Sequence, residues 1–150
     1  KELLQYIHHH KTGALIVVSA RVGAILGGAD ERQLEALTRY ARQLGLAFQI
    51  TDDILDVVGD ENKIGKPVGS DEKNQKVTFP ALFGIEQSQQ MAVDAVEAAV
   101  QALEIFGEQG ETLAQLAAGA AYIAAHLSSN GNIYTVFFKQ IFKILDLLLA

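Results

Sequence analysis

The sequence predicts an all-α protein, and three observations carry that expectation. Only two prolines occur in 150 residues. Long stretches are rich in Ala, Leu, Gln and Glu, the residues that lose least on entering a helix. Apolar residues recur at three- and four-residue spacing rather than in alternation. A chain of this length with 49% hydrophobic content is large enough to bury a core.

The first helix is expected over residues 2–26, where apolar residues are so frequent that no clean polar face remains, the mark of a helix buried on most sides. Gly27-Gly28 ends it. Asp30 stands three residues before Gln33, a capping-box spacing that starts a second helix running to about residue 58. Residues 59–76 turn to Gly, Asp, Asn and Lys with one Pro, the composition of a loop, and carry Lys63, Lys66, Lys73 and Lys76. Thr78-Phe79-Pro80 opens a short third helix, because Pro is tolerated in the first turn. Amphipathic helices are expected over 88–106 and 111–127, then a break at 128–132 and an apolar tail at 133–150. No repeat of solenoid period is present.

Composition narrows the function. A net charge of −6 lacks the dense Lys and Arg surface that a nucleic-acid backbone requires. Without cysteine there is no disulfide, thiolate nucleophile or Cys-ligated zinc. The chain opens at Lys1, without Met and already in helical spacing, so further sequence upstream is expected.

The chemistry gathers on the second helix. At ~100° per residue, with Asp52 as origin, Asp56 lies at about 40°, Gln49 at about 60°, Asp60 at about 80° and Asp53 at about 100°. Leu46, Ala47, Ile50, Ile54, Val57 and Val58 fall on the opposite side, the side expected to be buried. Aspartates at i, i+1 and i+4 repel one another and Asp is a poor helix former, so something must offset the cost. Magnesium is held by one or two carboxylates together with phosphate and water, and would do so. The competing reading is a solvated acidic face, although such a face more often mixes in Lys for pairing.

The first helix carries a polar seam of His8, Lys11, Thr12 and Ser19 at helical offsets. A buried Lys11 needs an anionic partner; alternatively its stem covers apolar surface while the ammonium reaches water. The run His8-His9-His10 is not read as a metal site, because consecutive helix positions point ~100° apart.

Four segments in this order resemble the trans-isoprenyl diphosphate synthases, most closely geranylgeranyl diphosphate synthases: Lys11-Thr12-Gly13-Ala14-Leu15, Phe48-Gln49-Ile50-Thr51-Asp52-Asp53-Ile54-Leu55-Asp56, Gly65-Lys66-Pro67-Val68-Gly69-Ser70-Asp71 and Lys76-Val77-Thr78-Phe79-Pro80-Ala81-Leu82. The resemblance implies an isoprenoid-synthase helical bundle, of which residues 1–127 form the C-terminal part and 128–150 an atypical apolar end. It implies a magnesium site at Asp52, with Asp53 and Asp56 in direct or water-mediated contact. It gives Lys11, Lys66 and Lys76 to the allylic diphosphate, and places Thr12 and Gln49 beside the developing allylic cation.

The implied reaction joins an allylic diphosphate to isopentenyl diphosphate. The implied assembly is a homodimer, or a heteromer with a related synthase subunit, in the cytoplasm or a plastid. The family's first aspartate-rich motif has no counterpart in these residues, so the polypeptide alone is expected to be inactive. A non-catalytic partner subunit and a terpenoid cyclase-like lyase are the alternatives. For the tail, packing on the bundle is favoured over interfacial membrane contact, because its three charges make a poor spanning helix.

Overall fold

A computed structural model of the chain describes residues 12–58 and 77–125, with side chains described for 13–58 and 77–119. The described residues form α1 (Thr12–Leu26), α2 (Glu31–Val58), α3 (Phe79–Phe83), α4 (Ile85–Ala102), a 3-10 segment (Glu104–Gly110) and α5 (Glu111–Ala125). They contain no strand. Residues 59–76 and the tail at 133–150 lie outside them, and so do Lys11, Lys66 and Lys76.

The turn between α1 and α2 follows local chemistry. Gly28 takes φ 77, the left-handed conformation that suits glycine at a helix end. The Gln33 N–H donates to Asp30 Oδ1 at 2.8 Å while Gln33 Oε1 accepts from the Asp30 N–H at 2.9 Å, the reciprocal pair of a capping box. The two helices then run antiparallel, matched at Gly13 against Gly45 and at Arg21 against Thr38, whose hydroxyl accepts from Arg21 Nη1 at 2.8 Å.

The core lies where α2 meets α4. Tyr40, Ala41, Leu44 and Ala47 of α2 pack on Ala95, Val96 and Ala99 of α4, with Leu103 and Ala117 closing the far side. Alanine on both helices lets the backbones approach closely, and Ile16, Val17 and Ala20 of α1 cover this cluster in part. Further along α2, Ile50 and Ile54 pack with Phe79 of α3 and Ala92 of α4.

Two expectations change. The helix expected over 88–106 starts at Ile85, because Gly84 at φ 80 serves as its cap. It ends at Ala102, where the chain tightens into the 3-10 segment with Gly107 at φ 53. The first helix is also not buried on most sides. Ile16, Val17, Ala20 and Ala24 face α2, but Leu15 is 68% exposed, and Val18, Val22, Ile25 and Leu26 are exposed with it on the outer face. The reason is geometric: a helix apolar all round is buried only where it has neighbours, and among the described residues α1 packs extensively on α2 alone.

Candidate metal and diphosphate site

Gln49, Asp52, Asp53 and Asp56 stand on the last three turns of α2. The positions 53 to 56 are four consecutive buried residues, so at this turn α2 is enclosed on every side. Asp53 is 2% exposed and Asp56 3%, and Asp52 is half-buried. The expected division into a polar flank and a buried apolar flank is therefore corrected. Asp53 and Asp56 are as buried as Ile50 and Ile54, whereas Val57 and Val58 are exposed. A helical wheel orders side chains around one axis; the arrival of α3 beside Asp53 changes which of them water reaches.

The Asp53 carboxylate is held from two directions. Oδ1 accepts from Gln49 Nε2 at 3.0 Å, and Oδ2 accepts from the backbone N–H of Phe79 at 3.1 Å. Gln49 is half-buried and lies one turn before Asp53. Phe79 is the first residue of α3, follows the N-cap Thr78, and stacks on Phe83 with ring centroids 6.1 Å apart. The Thr51 hydroxyl turns back to the Ala47 carbonyl at 2.8 Å, so it stays within its own helix.

Among the described residues no three Asp, Glu or His side chains converge closely enough to hold an ion by themselves. The donor chemistry nonetheless fits a hard cation shared with a ligand: magnesium takes oxygen donors, commonly one or two carboxylates, and fills its octahedron with phosphate oxygens and water. Enclosure of Asp53 and Asp56 is hard to reconcile with a merely solvated acidic face, because buried carboxylates are costly unless hydrogen-bonded or paired.

Of the other sequence candidates, Thr12 lies in α1 immediately before Gly13, and its side chain is outside the described residues. Gly13 is buried, and its Cα lies 3.0 Å from where a Cβ on Gly45 of α2 would stand. Ser19, placed on the same polar seam, is exposed. Two buried polar residues went unremarked in the sequence. The Tyr40 hydroxyl donates to the Leu113 carbonyl at 2.9 Å, and Thr38 joins α1 to α2 through Arg21. Burial raises the Tyr40 phenol above its ordinary 10.0. Neither is marked by a motif; both depend on partners 73 and 17 residues away.

The sequence and the fold have counterparts among known proteins. A family model described as polyprenyl synthetase matches residues 1–118. A farnesyl diphosphate synthase of Geobacillus stearothermophilus is 49% identical over 113 residues, 75% of this chain and 38% of that protein. A chloroplastic geranylgeranyl pyrophosphate synthase of Arabidopsis thaliana is 42% identical over 123 residues, 82% of this chain and 34% of that protein. A solved structure from Marinomonas sp. MED121, assigned as a farnesyl-diphosphate synthase, superposes with a TM-score of 0.62 at 34% identity, covering 79% of this chain and 39% of that one. This chain thus spans less than two fifths of the length of these relatives. Its all-α bundle is that of the isoprenoid synthases, and the chain belongs to the polyprenyl synthetase family.

Proposed function

We propose that this chain contributes the second aspartate-rich motif of a trans-prenyltransferase, which adds isopentenyl diphosphate to an allylic diphosphate and releases a longer all-trans prenyl diphosphate. Geranylgeranyl diphosphate is the proposed product, on the sequence resemblance. The observation that carries the reading is the enclosed aspartate turn of α2, with Asp53 and Asp56 buried and Asp52 at the rim, in a chain of this family.

Asp52 would be the principal carboxylate toward a magnesium ion, with Asp53 and Asp56 completing the acidic turn. When bound, the ion supplies charge neutralisation to the departing diphosphate. Lys11, Lys66 and Lys76 are proposed to bind the same diphosphate, so the leaving group is met by fixed positive charge as its bond to the allylic carbon breaks. Gln49 and Thr12 would present oxygen to the allylic cation, and the Gln49 amide, tied to Asp53, is held in one orientation. No protein nucleophile is required, and none is proposed. The proton lost after attack by the isopentenyl double bond goes to the departing diphosphate.

The short span relative to the relatives supports a companion reading: the centre is completed by further chain. The partner is proposed to be another copy or a related synthase subunit, and the compartment the cytoplasm or a plastid. A non-catalytic subunit that tunes a synthase is the second reading, and the presence of Gln49, Asp52, Asp53 and Asp56 weighs against it.

The test combines the 150-residue chain with the portion of the Geobacillus synthase that has no counterpart here, supplying geranyl diphosphate, labelled isopentenyl diphosphate and magnesium. The reading expects prenyl transfer by the mixture, none by the chain alone, and loss on Asp52→Asn. Transfer that survives Asp52→Asn undiminished would remove the aspartate turn from the mechanism.

A further inference from the structure

We infer that Asp53 is a positioning residue, whose buried carboxylate pins the start of α3 to the aspartate turn of α2. This rests on the proposed function for its relevance to catalysis, and it narrows the part that Asp53 plays there: Asp53 acts on the site through placement.

The first turn of a helix leaves backbone N–H groups that its own carbonyls cannot satisfy. In α3 each of them is accounted for. Leu82 N–H reaches the Thr78 carbonyl at 3.2 Å, Ala81 N–H reaches Thr78 Oγ1 at 3.4 Å, and Pro80 has none to offer. The remaining donor, Phe79 N–H, goes 26 residues back to Asp53 Oδ2 at 3.1 Å. The cap of α3 is therefore completed by a side chain of another helix, and by a charged one, which makes the bond stronger than a neutral pair.

The second oxygen is engaged as well, by Gln49 Nε2 at 3.0 Å. Both donors are fixed, one by the backbone of α2 one turn away and one by the backbone of α3. Phe79 adds a second point of attachment, because its ring is buried with Ile50, Ile54 and Ala92. Moving α3 off α2 would strand a carboxylate that is 2% exposed, an outcome that buried charge penalises heavily.

Two substitutions separate anchoring from charge. Asp53→Asn keeps a carbonyl acceptor for Phe79 N–H, and a flipped Gln49 amide can accept from the new Nδ2. Asp53→Ala removes the anchor altogether. The experiment uses the full 150-residue chain, labelled with nitrogen-15 and free of metal, and follows amide hydrogen exchange at Phe79. In parallel, manganese binding with inorganic pyrophosphate is read by electron paramagnetic resonance.

In the unaltered chain Phe79 N–H should exchange at least about tenfold more slowly than the N–H of the exposed residue Val77, a comparison that needs no variant. Asp53→Ala should accelerate Phe79 exchange about tenfold or more, the loss of one charge-assisted hydrogen bond, and Asp53→Asn by less than about threefold. Manganese affinity should fall about tenfold or more in Asp52→Asn and change less than about threefold in Asp53→Asn. An unprotected Phe79 amide in the unaltered chain overturns the inference. So does manganese affinity that falls as far in Asp53→Asn as in Asp52→Asn. The prenyltransferase reading fails separately, if the mixture with the remaining portion of a synthase transfers no prenyl group, and in that case the Phe79 exchange rates still decide the anchor.

Discussion

Gly45→Ala should destabilise this protein although the same change normally strengthens a helix. A Cβ built at Gly45 lies 3.0 Å from the Gly13 Cα across the α1–α2 interface and 3.7 Å from Ile16 Cδ1. Carbon atoms prefer about 3.5–4.0 Å, so α1 must retreat by roughly 0.5–1 Å, and the obstacle is backbone that cannot rotate away. Overpacking of this kind costs about 1–3 kcal/mol, against which Ala returns about 1 kcal/mol of helix propensity. The net expectation is a loss of about 1 kcal/mol, or roughly 2–4 °C in Tm for a chain of this size. Gly23 supplies the control, being exposed in α1 with nothing within 4 Å of an added Cβ. Gly23→Ala should raise Tm by about 2–4 °C. Thermal unfolding of both variants followed by circular dichroism at the helix band decides the matter. Should Gly45→Ala raise Tm as Gly23→Ala does, the close approach of α1 and α2 is not there.

The remaining predictions concern the core, the caps and pH. Because burial lifts the Tyr40 phenol above its ordinary 10.0, the folded state keeps its proton after the unfolded chain has lost it; stability is therefore complete below about pH 10 and declines as pH rises beyond it. Tyr40→Phe should abolish that alkaline decline in urea melts, while costing about 1 kcal/mol at pH 7 through the lost bond to the Leu113 carbonyl. Ile54→Ala, at a fully buried position, should cost about 2–5 kcal/mol by denaturant titration, whereas Leu15→Gln on the outer face of α1 should stay within about 0.5 kcal/mol. Asp30→Ala removes the capping box of α2 and should cost about 1 kcal/mol in the same titration.

How much was legible in the sequence divides along the range of the interactions. Asp30 with Gln33, the Gly27-Gly28 stop and the Thr78-Phe79-Pro80 start are encoded within four residues, and each stands where expected. The start of α4 was misplaced by three residues because Ser88 was taken for its first residue; it is a buried residue of the first turn, whose hydroxyl donates to the Gly84 carbonyl at 2.7 Å. Periodicity identified the aspartate turn but not its enclosure, since the wheel of α2 says nothing of α3, and the Asp53–Phe79 bond joins positions 26 apart. The same limit hid the exposed outer face of α1. Its apolar pattern is real, but a pattern reports what a helix can bury, and burial itself depends on what lies alongside.

The Gly13–Gly45 contact also accounts for the spacing of the motifs. In an antiparallel pair, a register fixed at one point fixes it everywhere nearby, and here Gly13–Gly45 and Arg21–Thr38 agree on it within one residue. Thr12 stands in α1 one residue before the contact, and Gln49 follows Gly45 by one helical turn, about 6 Å along the axis. The glycine pair thus brings the Thr12-Gly13 stretch of α1 alongside the stretch of α2 that leads into the aspartate turn. Thr12-Gly13 and Gln-x-x-Asp-Asp are more than thirty residues apart in the chain, yet they lie close to one point of backbone contact. A side chain at either glycine would widen the approach from which both motifs are presented. On this account the glycines belong to the site as much as to the core. Gly45→Ala should then weaken manganese binding with pyrophosphate as well as stability, whereas Ile54→Val, a core change of similar energetic size that leaves the α1–α2 spacing alone, should lower only stability. Equal manganese affinity in the two variants would reduce the glycine contact to ordinary packing.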